Sequence, residues 1–144
     1  MTNNFHVALK FVLDHEGYKS SHSKDPGGRT IFGISERYYP EVDTMWNMSY
    51  EDAKKLATVI YKKDYWVKSG CDTLPFPYDI IVFDTAVNMG VYKADRFLSS
   101  SKTGKDFLLK RIESYAAMKH FNTFGRGWVN RVIDLYNLVE SMKI

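Results

Sequence analysis

One cysteine, Cys71, stands alone in a chain of 144 residues, which excludes an internal disulfide and points to synthesis in a reducing compartment. No base marks Cys71 as a nucleophile, so it reads as a buried structural thiol. No apolar run reaches the roughly 18 residues of a membrane-spanning helix. The first residues lack a basic start, and His6 and Lys10 interrupt their apolar stretch, so they do not read as a signal peptide. Basic residues are spread without a Lys/Arg run, which argues against a nucleic-acid-binding helical domain. The four histidines, His6, His15, His22 and His120, have no metal-ligand spacing, and no metal or other cofactor is expected. Repeats and low-complexity tracts are absent.

What remains is the composition of an ordinary globular protein, long enough to bury a core as one compact domain, 1–144. Aromatics are plentiful, with three Trp, ten Tyr and nine Phe; such flat side chains serve a core or a sugar ring equally well. The net charge of +3 suits an anionic polymer such as a cell wall and would equally suit weak nucleic-acid binding.

Hydrophobic periodicity predicts a mainly α chain. Phe5, Leu9, Val12 and Glu16 share one face of a helix over 4–16, with Ala8 and Leu13 widening it and Gly17 as its stop. The Ser49-Tyr50-Glu51-Asp52 capping box starts a helix running to about Val67. Tyr78 to Met89 is apolar nearly all round, as a central buried helix is. Further helices are expected over 92–99, 106–121 and 128–142, with Gly125 and Gly127 forming a break before the last. A short helix is expected between Ser35 and Pro40. The segment 18–34, turning at Pro26-Gly27-Gly28, reads as a small β-ribbon.

Glu16 is an unusual glutamate in this scheme. It continues a stripe meant for the core and occupies the last turn, where the helix dipole opposes negative charge. Both influences favour the protonated carboxyl that a general acid needs. Nine residues on, a loop without aliphatic side chains delivers Asp25, and Thr30 follows. Cleaving a glycosidic bond takes a proton donor and a second carboxylate beyond the sugar. Asp25 before Pro26 also suits a plain turn, and Thr30 a plain strand residue. Tyr18 and Trp66 are candidate substrate contacts, and Tyr65-Trp66 reads either as a sugar platform or, for one of the two, as a core anchor. Asp84 and Asn88 lie one turn apart on the apolar helix and must find partners. Asn88 reads either as a substrate contact or as part of a structural network. Arg131 reads as a salt-bridge partner.

These residues resemble glycoside hydrolase family 108, phage and bacterial N-acetylmuramidases. The Glu16-Gly17-Tyr18 signature is one glycine shorter than the family's, while Asp25-Pro26-Gly27-Gly28-Arg29-Thr30-Ile31-Phe32-Gly33-Ile34 is intact. The likeness continues through Tyr65-Trp66, Leu74-Pro75, Phe83 to Gly90 and Gly127 to Val132. It implies a lysozyme-like α+β fold, helices around a cleft beside one small ribbon. Residues 1–90 would be the catalytic muramidase part, and 91–144 a helical part resembling a predicted peptidoglycan-binding region. The implied activity is hydrolysis of the β-1,4 bond between N-acetylmuramic acid and N-acetylglucosamine, with Glu16, Asp25 and Thr30 catalytic. A phage endolysin of this kind would be a monomer made in the bacterial host cytoplasm. It would reach glycan strands through a holin-type pore, without inserting into the membrane. A lytic transglycosylase using the same acid, and a non-catalytic wall-binding module, remain the alternatives.

Overall fold

A computed structural model describes residues 3–21 and 28–143. Their contacts fall into two compact units, Phe5–Asp64 and a second formed by Tyr65–Ile144 with the first four residues.

In the first unit, α1 (Phe5–Glu16) buries Phe5, Ala8, Leu9, Phe11 and Val12. Gly17, at φ +77°, ends it, its N–H bonding the Leu13 carbonyl at 3.1 Å. A three-stranded antiparallel sheet follows: β1 (Lys19–Ser21), β2 (Arg29–Ile31) and β3 (Ile34–Ser35), in that order. The expected ribbon is therefore present and carries a third strand. Ile31 pairs with Ile34 across a two-residue turn, Phe32-Gly33, in which both residues have positive φ, +52° and +81°. The short helix lies after Pro40 rather than before it, as α2 (Glu41–Met45). Proline fits a helix start, and Glu41 and Asp43 place negative charge in the first turn. α3 (Tyr50–Tyr61) begins at Ser49, whose hydroxyl accepts the Asp52 N–H at 3.2 Å. A widened turn over Lys62–Val67 then leads into the second unit.

The second unit is helical: α4 (Tyr78–Met89), α5 (Val91–Ser100), α6 (Gly104–Ala116) and α7 (Phe121–Met142). α4 is buried from Asp79 to Ala86 and packs on α5 and α6, and α6 packs on α7. The last helix starts at Phe121, so Gly125 and Gly127 do not break it. Gly125 is buried inside α7, and a Cβ there would stand 2.5 Å from two atoms of the Phe121 ring. The glycine serves close packing, and that outweighs its poor helix propensity. Cys71 is 1% exposed, and burial first, then the nearby Asp79 and Asp72 charges, pushes its thiol up to about 12. It is inert in that state.

An ionic cluster organises this helical unit. Asp84, 1% exposed, accepts from Arg111 Nη1 at 2.8 Å and from Arg131 Nη2 at 2.8 Å. The Arg111 Nη1 also reaches Thr85 at 3.0 Å, and its Nε donates to the Tyr115 hydroxyl at 2.9 Å. That hydroxyl donates to the Asn88 amide oxygen. Burial alone would raise the Asp84 carboxyl, but the combined pull of Arg111 and Arg131 outweighs it and holds the group below its usual range. The sign follows. A depressed folded-state value stabilises the protein above the unfolded value of about 3.9, and this contribution disappears as pH falls through the folded value. Asp84→Asn leaves two arginines short of a counter-charge and should cost about 3–5 kcal/mol at pH 7. It should also flatten the acid limb of the Tm-against-pH curve below about pH 4. Thermal melts from pH 7 to 2.5 check both; equal stability of the two proteins at neutral pH would refute the assignment.

Candidate active site

Glu16 is the last residue of α1 and is partly buried. Its side chain lies against the bare Cα of Gly33. A Cβ at that position would stand 2.8 Å from both Cβ and Cγ of Glu16 and 2.9 Å from its Oε2. The helix end is thus pressed onto the β2–β3 turn, and the one residue without a side chain stands where the carboxylate crosses. Gly33 also needs its φ of +81°, which side-chain-bearing residues rarely adopt. Backbone bonds fix the turn: Phe32 N–H donates to the Tyr18 carbonyl at 2.6 Å, and the buried Tyr61 hydroxyl donates to the Phe32 carbonyl at 2.5 Å.

Thr30 lies at the centre of the sheet, opposite Ser20 on one side and Ser35 on the other. Residues directly opposed across strands share a face, so three hydroxyl residues form a row there. Ile31 and Ile34 occupy the other face and are buried. Asp25 lies outside the described residues. The strand that follows its loop is anchored strongly. The Arg29 guanidinium binds Glu36 through Nε at 2.8 Å and Asp43 of α2 through Nη2 at 2.8 Å, and the Arg29 backbone N–H donates to Glu36 at 3.2 Å. That backbone bond first, then the guanidinium, holds the Glu36 carboxyl below its usual range. A Cβ on Gly28 would collide with Glu36 Oε1, so the glycine before Arg29 keeps this contact open.

Tyr18 is 37% exposed and makes an edge contact with Tyr50, ring centres 5.0 Å apart. Trp66 departs from its expected place as a sugar platform. It is 1% exposed, its indole N–H donates to Asp72 at 2.6 Å, and its ring meets Phe83 edge-on. With no face in solvent it packs a core. Asn88 is half-buried and its amide oxygen is taken by Tyr115, which is the structural network anticipated as the alternative to substrate contact. Trp66 and Asn88 belong to the second unit; Glu16, Tyr18 and Thr30 belong to the first. Sequence reasoning missed Ser20, Ser35 and Tyr61. The strand register was the available signal for the two serines. Tyr61 carried none, since an aromatic on a helix stripe reads simply as core. His15 bonds the Phe11 carbonyl at 2.9 Å and stacks on the Phe11 ring, one turn back on its own helix.

The comparisons with known proteins bear on this arrangement. Residues 9–90, more than half of the chain, match the family model described as Glycosyl hydrolase 108. The chain belongs to glycoside hydrolase family 108. A solved structure of Brucella abortus SagA is similar over 96% of this chain and 94% of that one, at 25% identity and a TM-score of 0.76. A search of curated proteins finds no match. The family-108 protein is thus a glycoside hydrolase of the peptidoglycan-degrading kind, and its fold is the lysozyme-like α+β fold, mainly helical with one small sheet.

The seat of Glu16 gives a direct test. Gly33→Ala places a methyl group where the Glu16 side chain lies and strains a left-handed backbone, so it should displace the carboxyl. A shift of about 1 Å at a reacting group costs on the order of 10²-fold in rate. The backbone penalty in stability should exceed about 1 kcal/mol. Turnover by folded Gly33→Ala within a few-fold of the parent would refute the seat.

Proposed function

We propose that this family-108 enzyme is an N-acetylmuramidase. It would cleave the β-1,4 bond between N-acetylmuramic acid and N-acetylglucosamine in bacterial peptidoglycan. The observation that carries the proposal is Glu16 itself, a carboxyl on a helix C-terminus lying against the β2–β3 turn. Glu16 would give its proton to the glycosidic oxygen as the bond from that oxygen to the anomeric carbon breaks. The sugar left behind develops oxocarbenium character. Asp25, in the segment between β1 and β2, would stabilise that charge or take the proton of the water that attacks the anomeric carbon. Thr30, in its row of hydroxyls, would hold that water. Tyr18, beside the helix end, would contact the glycan.

In biological terms the reading is a phage endolysin. The protein would be made in the host cytoplasm, pass a holin-type pore and act as a monomer on glycan strands during lysis. No helix among the described residues is long and apolar enough to cross a membrane. The helical part 91–144 would add contacts to the wall.

Glu16→Gln keeps the shape of the side chain and removes the transferable proton. Wall clearing should fall by at least about 10²–10⁴-fold, the usual worth of general acid catalysis. The melting temperature should stay close to that of the parent. A turbidity assay on purified walls with the folded variant decides it, and near-parent clearing would remove Glu16 from the role of acid.

A further inference from the structure

The first unit carries a groove that does not include Glu16. Its wall is aromatic and its rim polar. Along one side run Lys10, Leu13 and Asp14 of α1; along the other, Lys54 and Thr58 of α3; Tyr18 and Tyr50 close the end. The volume is about 620 Å³, within the roughly 300–1,000 Å³ of small-ligand sites. On α1 the lining runs from His6 and Leu9 to Gly17, next to Glu16 but without it. We propose that the groove is a second carbohydrate site, sharing Tyr18 with the catalytic reading and binding a β-1,4-linked N-acetylhexosamine strand without contact to Glu16; this rests on the peptidoglycan reading above.

Three observations converge on a sugar. The first is the aromatic wall. Tyr18 and Tyr50 are 37% and 47% exposed, and both ring systems rest on the buried Phe32, with centres 5.1 and 5.4 Å away. Interlocked rings of this kind give a rigid apolar wall for the C–H faces of a pyranose, with phenolic hydroxyls for hydrogen bonds.

The second is backbone strain. Among the described residues Phe32 is the non-glycine residue at positive φ, +52°, a costly place for a bulky side chain. The chain holds it there with the Tyr61 hydroxyl on its carbonyl and the Tyr18 carbonyl on its N–H. Strain of this kind gathers at ligand clamps, and here it sets the ring that backs both tyrosines.

The third is the rim. Lys10 is neutralised by Asp14 at 2.7 Å, Lys54 stands 6.0 Å from the Tyr50 ring centre, and Thr58 adds a hydroxyl. A nucleic-acid strand would call for several uncompensated cations, and a lipid for a wholly apolar floor. Donors and acceptors side by side, against aromatic rings, match a ligand carrying hydroxyl and acetamide groups. A second site on the same polymer raises the local concentration of glycan at the catalytic residues without altering the chemistry.

The test uses full-length Glu16→Gln protein, titrated with the β-1,4-linked tetramer of N-acetylglucosamine and followed by backbone amide NMR. Saturable shifts are expected at Lys10, Leu13, Lys54 and Thr58. Tyr50→Ala should weaken the dissociation constant read at those amides at least tenfold, and Lys54→Ala provides a second variant should the first lose its fold. Absence of shifts at these positions, or shifts that neither substitution weakens, overturns the proposal. Such a failure is separable from failure of the catalytic reading. The groove is judged by binding to a protein lacking the acid, and the acid by wall clearing with Glu16 present and absent.

Discussion

The side chain of Glu16 crosses the chain where Gly33 has none, and the rest of the first unit is arranged so that it can. α1 must end at Glu16, which Gly17 secures with a left-handed backbone. The sheet must turn tightly enough to bring Gly33 under the helix end, which demands positive φ at two successive positions. Only one of these is glycine. The other, Phe32, is held by the Tyr18 carbonyl and the Tyr61 hydroxyl and packs its ring beneath Tyr18 and Tyr50. The same two-residue turn thus faces the candidate acid with its glycine and the aromatic groove with its phenylalanine.

The second unit solves a different problem. α4 is apolar nearly all round yet carries Asp84, and an unpaired carboxylate there would cost several kcal/mol. Two arginines from α6 and α7 meet it, so burying the charge fixes where those helices lie against α4. Tyr115 and Asn88 extend the cluster toward the end of α4. Replacing such a buried ion cluster with apolar side chains of similar volume is often neutral in stability, whereas removing one partner is costly. Here the geometry demands that α4, α6 and α7 be in place together.

Where periodicity was strong, the sequence was readable. α1 and α4 were legible almost to the residue because a glycine follows each, and α3 was legible at its start because Ser49 caps it. Two errors came from treating an imino acid or a glycine as punctuation without its neighbours. Pro40 opens a helix rather than closing one, because a proline fits the first turn of a helix. Gly125 lies inside α7, where the Phe121 ring one turn earlier occupies the space a Cβ would need. Of the candidate site residues, Glu16 could be singled out from its place on an apolar stripe. Its contact with Gly33 could not, since it joins a helix end to a hairpin turn seventeen residues away. Trp66 stayed open between sugar platform and core because exposed and buried tryptophans look alike in a sequence; the Asp72 carboxylate that accepts its N–H becomes visible only in three dimensions. The role of Asn88 hinged on Tyr115, a residue on another helix.

In the function proposed, a proton donor at the end of α1, working with water, would cut the peptidoglycan backbone on the reducing side of N-acetylmuramic acid. The most direct measurement is mass spectrometry of the fragments released from purified peptidoglycan, after borohydride reduction of the new ends. The newly formed reducing ends are expected to be N-acetylmuramic acid, converted by borohydride to the muramitol. Fragments ending in reduced N-acetylglucosamine would contradict the bond assignment. Fragments ending in 1,6-anhydro-N-acetylmuramic acid, which borohydride leaves untouched, would contradict the role given to water and identify a transglycosylase instead.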